Sequence, residues 1–142
     1  MVKLTRIARP TPDTKFHMDW SWFERNHLNA EKVIRDQLTP KVAKRFQEGA
    51  PIATVDYVDP QTGEVTPLDA LREAIMNECQ WEPHYLTGDM PLVQAVLRVF
   101  LANNNQPLAV TEIAQRLERV DPDPILRVLT SSGVQMGIVP QY

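Results

Sequence analysis

Between Leu92 and Ala102, apolar side chains recur on two helical faces at once. Leu92, Val96, Val99 and Phe100 mark one face, and Val93, Leu97 and Leu101 mark the other. A helix that is apolar on two sides is surrounded by other elements, so this stretch is expected to be the central buried helix. Asn103-Asn104-Asn105-Gln106 ends it, and Pro107 to Val110 reads as a short extended link. Thr111 then caps a helix burying Ile113, Ala114 and Leu117. Asp123-Pro124 opens a third, burying Ile125, Val128 and Leu129. Gly133 closes that helix, and VQMGIVPQY reads as a strand that stops early.

Earlier in the chain the pattern is more broken. Residues 1–15 carry prolines, threonines and scattered cations without periodicity, and read as an extended arm. Phe16, Trp20, Trp22 and Phe23 then fall within eight positions, an aromatic density expected to pack against a core or a second chain. Asn29 caps a helix carrying Val33, Ile34 and Leu38, and Thr39-Pro40 restarts it for Val42, Ala43 and Phe46. IATVDYV at 52–58 alternates as a strand, with Val55 and Tyr57 on one face, and DPQTGEV turns it back into a short arm at Glu64-Val65-Thr66. Thr66-Pro67 is expected to open a further helix whose buried stripe is Leu68, Leu71 and Ile75, and Trp81 and Tyr85 to cover the core.

Composition narrows the class. With 142 residues, 43% of them hydrophobic and 23% charged, the chain suits one soluble domain. The longest apolar run is interrupted by Gln94 and Arg98, which is too short and too polar to span a bilayer. MVKLTRIARPTPDTK has no apolar core of the kind a secretion signal needs. Cys79 is the only cysteine, so an internal disulfide is excluded and a reducing, cytoplasmic setting is expected. Charge is unevenly divided. Residues 1–50 hold ten Lys/Arg against six Asp/Glu, residues 51–90 hold Arg72 alone against eight acids, and the remainder is balanced.

Three helices, an extended link between the first two and a strand after the third resemble the winged helix-turn-helix superfamily. The resemblance covers about residues 90–142. It implies that the third helix enters the major groove of duplex DNA and that a β-hairpin wing touches the backbone. The outer face of that helix would then offer Arg127, Thr130, Ser131 and Ser132 to phosphates and base edges. One cation is a meagre phosphate contact set, and Asp121 and Asp123 at the helix start repel DNA. The alternative is a winged-helix scaffold for protein contacts.

Other chemistry is weakly signalled. Lys32, Arg35, Lys41, Lys44 and Arg45 are interleaved with Glu31, Asp36 and Glu48, the pattern of a mixed solvated surface. Glu24 and His27 have the spacing of one half of a helical di-iron site, but no second copy exists. His17, His27 and His84 form no zinc motif with the single cysteine, and Cys79 has no positioned base in sequence. No phosphate-binding glycine loop is present.

The expected architecture is therefore mostly helical α+β. It has an extended arm at 1–15, a helical and hairpin subdomain at 16–89, and a winged-helix-like three-helix unit at 90–142, within one compact unit. The expected protein is not an enzyme and uses no cofactor and no metal. It binds another macromolecule: duplex DNA in a transcription-associated role, a protein partner, or a second copy of itself. For the homodimer, Phe16, Trp20, Trp22 and Phe23 are the expected interface.

Overall fold

A computed structural model of the chain describes residues 9–46 and 49–142. Among these, seven α-helices and five short strands form a mixed α+β structure with more helix than strand. The expected arm at 1–15 lies mostly outside the described residues, but its end has a definite place. Lys15–Met18 forms β1, and the Pro12 carbonyl accepts a hydrogen bond from Thr111 N–H at 3.1 Å.

Three short helices follow: α1 (Trp20–Arg25), α2 (Ala30–Arg35) and α3 (Pro40–Ala43). Asp19 and Asn29 cap the first two as their side chains allow, accepting from the Ser21 and Lys32 amides. Thr39 precedes Pro40 at the start of α3, yet its hydroxyl turns away from the helix toward Cys79 Sγ and the Glu82 carboxylate.

The hairpin is longer than the sequence suggested. β2 (Thr54–Val58) pairs antiparallel with β3 (Val65–Asp69), so Thr66, Pro67 and Leu68 lie in a strand and do not open a helix. The reason is register. Pro67 faces Asp56 at a position where the strands exchange no hydrogen bond, so its missing N–H costs the ladder nothing. Asp69 caps the helix instead, accepting the Arg72 amide at 2.8 Å, and α4 runs Ala70–Asn77. Leu71 and Ile75 are buried on it as expected.

After a 3-10 turn at Cys79–Trp81, α5 (Leu92–Ala102) is the axis of the molecule, with every residue from Ala95 to Leu101 buried. β4 (Leu108–Ala109), α6 (Val110–Arg116), α7 (Asp123–Thr130) and β5 (Ile138–Pro140) complete the chain. Glu112 accepts the Ala109 N–H at 2.9 Å, so the N-cap of α6 is Ala109, and Thr111, expected to be the cap, lies inside the first turn.

The C-terminal strands do not pair with each other. The sheet order is β4-β1-β5, with Phe16 opposite both Leu108 and Pro140, and Met18 opposite Ile138. The end of the expected arm is thus the middle strand that closes the C-terminal half. Beyond the end of β4, the Asn105 side chain takes over as a pairing partner. Its Oδ1 accepts Met18 N–H at 2.7 Å and its Nδ2 donates to Met18 O at 2.9 Å. One core joins both halves, with Phe16, Phe23, Ile75, Val96, Phe100, Ile113 and Ile125 in it.

Candidate functional site

The four residues expected to face nucleic acid are brought together on α7 and the turn that follows it. Ile125 and Leu129 turn inward, while Arg127, Thr130, Ser131 and Ser132 lie exposed on the opposite side. Arg127 enters none of the five ion pairs among the described residues. The Thr130 hydroxyl donates its only proton to the Leu126 carbonyl at 2.7 Å, which leaves it only lone pairs to present outward. A phosphate, which needs donors, would find Arg127 and two serines. At the start of the helix, Asp121 and Asp123 are both exposed, and the Asp121 carboxylate accepts the Asp123 amide at 3.0 Å.

Where a wing would project, the chain makes a tight turn. Met136 and Gly137 both take positive φ (51° and 74°) between bridged Gln135 and Ile138. Two central residues with positive φ match the twist of the flanking strands. The turn is docked on the start of α1: Gly137 O accepts Asp19 N–H at 2.7 Å. A Cβ at Gly137 would stand 2.9 Å from Asp19 O and 3.2 Å from the Phe23 ring. Only glycine permits both the backbone angle and this approach.

The aromatic cluster divides. Phe16 is 0% exposed and Phe23 1%, so both rings belong to the chain's own core and are not available to a partner, contrary to the expectation for a dimer face. The cause is the placement of β1 as a central strand, which turns Phe16 inward. Trp22 meets Phe23 edge to face at 5.2 Å, and Trp20 lies 6.0 Å from it, both indoles half-buried. Any self-association through this cluster runs through those two indoles.

Trp20 forms one wall of a recess of about 410 Å³ between α1, α2 and the start of α4. Ala30, Ile34, Ile52 and Leu71 line it, and the Arg72 guanidinium lies 5.3 Å above the Trp20 ring while pairing with Asp69. Glu31, also on the recess, pairs with Arg35 at 3.5 Å. Its carboxylates are already matched by cations, so the recess suits an apolar group and holds no spare charge for an ion.

Of the first-half cations Lys32, Arg35, Lys41, Lys44 and Arg45, three are engaged in ion pairs, while Lys41 and Lys44 enter none among the described residues. Lys32 pairs with Asp36, Arg35 with Glu31, and Arg45 with Glu78. Cys79 is fully buried and accepts a hydrogen bond from the Thr39 hydroxyl at 3.4 Å. Among the described residues, no group of three or more His, Cys, Asp or Glu is placed to hold a metal ion, and no helix is long and apolar enough to cross a membrane.

One polar network was not anticipated from the sequence. Arg98, buried on α5, donates from Nε to Gln37 Oε1 at 3.0 Å and from Nη1 to Tyr85 O at 2.7 Å, and the Tyr85 hydroxyl donates to Arg98 O at 2.6 Å. Burial pushes the Tyr85 phenol far above its usual range and lowers the Arg98 pKa, but a guanidinium stays charged at neutral pH. The sequence signal was a single arginine within the most apolar helix. Arg98 ties α5 to the turn after α2 and to the segment around Tyr85 through neutral acceptors, a structural role. Compared with known proteins, the chain matches no family model, no curated protein and no solved structure.

Proposed function

We propose that this chain is a non-enzymatic binding protein whose winged-helix-like C-terminal half serves as a scaffold for contact with another protein. The observation that carries this reading is the docked turn. Met136–Gly137 is held against the start of α1 by the Asp19–Gly137 hydrogen bond, and only these two residues separate bridged Gln135 from Ile138. DNA binding draws most of its affinity from several phosphate contacts at once. On α7 and the turn after it, the exposed donors are one arginine and two serines, beside two exposed aspartates.

Reading of duplex DNA by α7 is the second reading, favoured by the shared exposure of Arg127, Thr130, Ser131 and Ser132. A titration of labelled random-sequence duplex, followed by anisotropy at about 50 mM salt where phosphate contacts are strong, separates the two. No change is expected. Binding that weakens steeply with salt and falls on Arg127→Ala would establish the DNA reading and overturn the scaffold.

A further inference from the structure

The β2–β3 hairpin has two edges of unequal chemistry. Asp59 N–H donates to Glu64 O, and Ala70 N–H donates to Ala53 O. Together with the register, these bonds place the odd-numbered residues of β2 in hydrogen-bonded pairs with β3. The N–H and C=O groups of Thr54, Asp56 and Val58 therefore point away from the hairpin. On the far edge of β3 the equivalent outward positions are Val65, Pro67 and Asp69, and Pro67 has no N–H to offer. A proline blunts one edge, and the other is open.

The side chains along that open edge say what would pair with it. Thr54, Asp56 and Val58 are all exposed, and Val58 and Val65 face each other across the strands at 55% exposure each. Asp56, Asp59 and Glu64 enter no ion pair among the described residues. Arg72, the single cation of residues 51–90, is already bound to Asp69. The hairpin thus presents a hydrogen-bonding row, an aliphatic pair and uncompensated negative charge together. A second copy pairing edge to edge would bring two Asp56 carboxylates together, so like charge disfavours it.

We propose that the outer edge of β2 is a β-augmentation site for an extended segment of a partner protein in which Lys or Arg alternates with aliphatic residues. Main-chain hydrogen bonds to Thr54, Asp56 and Val58 supply affinity. These three side chains share one strand face, so the partner's cations meet Asp56 there with their stems over Val58, while its alternating aliphatic residues continue the Val55–Tyr57 face. This rests on the protein-contact reading, although the duplex titration alone decides that reading.

The test uses the full chain and a fluorescein-labelled acetyl-Lys-Val-Lys-Val-Lys-Val-amide probe, read by anisotropy. Three companions accompany it: the Glu-Val counterpart, the Lys-Val peptide N-methylated on alternate residues, and the chain variants Val58→Pro and Asp56→Lys. The Lys-Val peptide is expected to bind. N-methylation and Val58→Pro, which each remove edge hydrogen bonds, are expected to weaken binding about tenfold. Asp56→Lys, whose fold circular dichroism checks, is expected to weaken the Lys-Val peptide and favour the Glu-Val one. Failure of the Lys-Val peptide to bind overturns the site. So does binding that is indifferent to N-methylation, or equal binding of the Glu-Val peptide to the native chain.

Discussion

Replacing Asn105 by alanine tests whether β1 belongs to the C-terminal sheet. The Asn105 amide closes two hydrogen bonds on the Met18 backbone, 87 residues away in sequence, from a left-handed residue at φ 55°. Alanine leaves the Met18 N–H and C=O unpaired at a part-buried position. Each orphaned group costs about 1 kcal/mol, the low end of the usual range because burial is incomplete. Alanine in the left-handed region adds roughly 1 kcal/mol that asparagine largely avoids. The sum is about 3 kcal/mol, a large share of the roughly 5–15 kcal/mol available to a domain. In a urea titration with m near about 2 kcal/mol/M, the midpoint falls by roughly 1.5 M. Asn105→Gly relieves only the strain, so it recovers about 1 kcal/mol and no more. A loss below about 0.5 kcal/mol for Asn105→Ala would refute the clamp.

Further outcomes follow from the same geometry. Phe100→Ala, at a fully buried ring on α5, is expected to cost about 3–5 kcal/mol in denaturant. Gly137→Ala puts a Cβ 2.9 Å from Asp19 O at φ 74° and should lower Tm by roughly 4–8 °C. The Asp19 carboxyl is held below its ordinary value, first by the Ser21 hydroxyl and then by Arg25. Its contribution is therefore present above the unfolded carboxylate pKa and lost as pH falls through the folded one. Asp19→Asn, which keeps the cap, should lower the neutral-pH plateau of a urea-midpoint profile and flatten its acid limb, the two profiles converging at low pH. Light scattering should give the monomer mass of 16.2 kDa, since Phe16 and Phe23 are buried within one chain; a mass of twice that would restore the dimer.

Much of the fold was legible where periodicity is local. The range of α5, the cap at Asn29 and the α6–α7 pair follow from apolar spacing and end chemistry that a helix expresses within a few turns. The largest failures were matters of long-range pairing, although Thr39 and Thr111 also failed as caps and Trp81 lies exposed. Nothing local marks Lys15–Met18 as the central strand of a sheet whose other strands lie about 90 and about 120 residues later. Thr66-Pro67 has the chemistry of a helix start and also that of an unbonded strand position, and the register with Asp56 decided between them. For the candidate site, exposure of Arg127, Thr130, Ser131 and Ser132 was readable from the inward spacing of Ile125 and Leu129. The docking of the Met136–Gly137 turn was not, because its partners, Asp19 and Phe23, come from the other end of the chain.

That docking is the centre of the functional account, and proton NMR of the native chain tests it directly. Nuclear Overhauser contacts are predicted from the Gly137 α-protons to the Phe23 ring and the Trp22 β-protons, with Met18 opposite Ile138 and slow exchange of the Asp19 amide bonded to Gly137 O. Absence of those contacts, together with rapid exchange of the Asp19 amide, would mean that the turn is free to act as a wing, and would contradict the account.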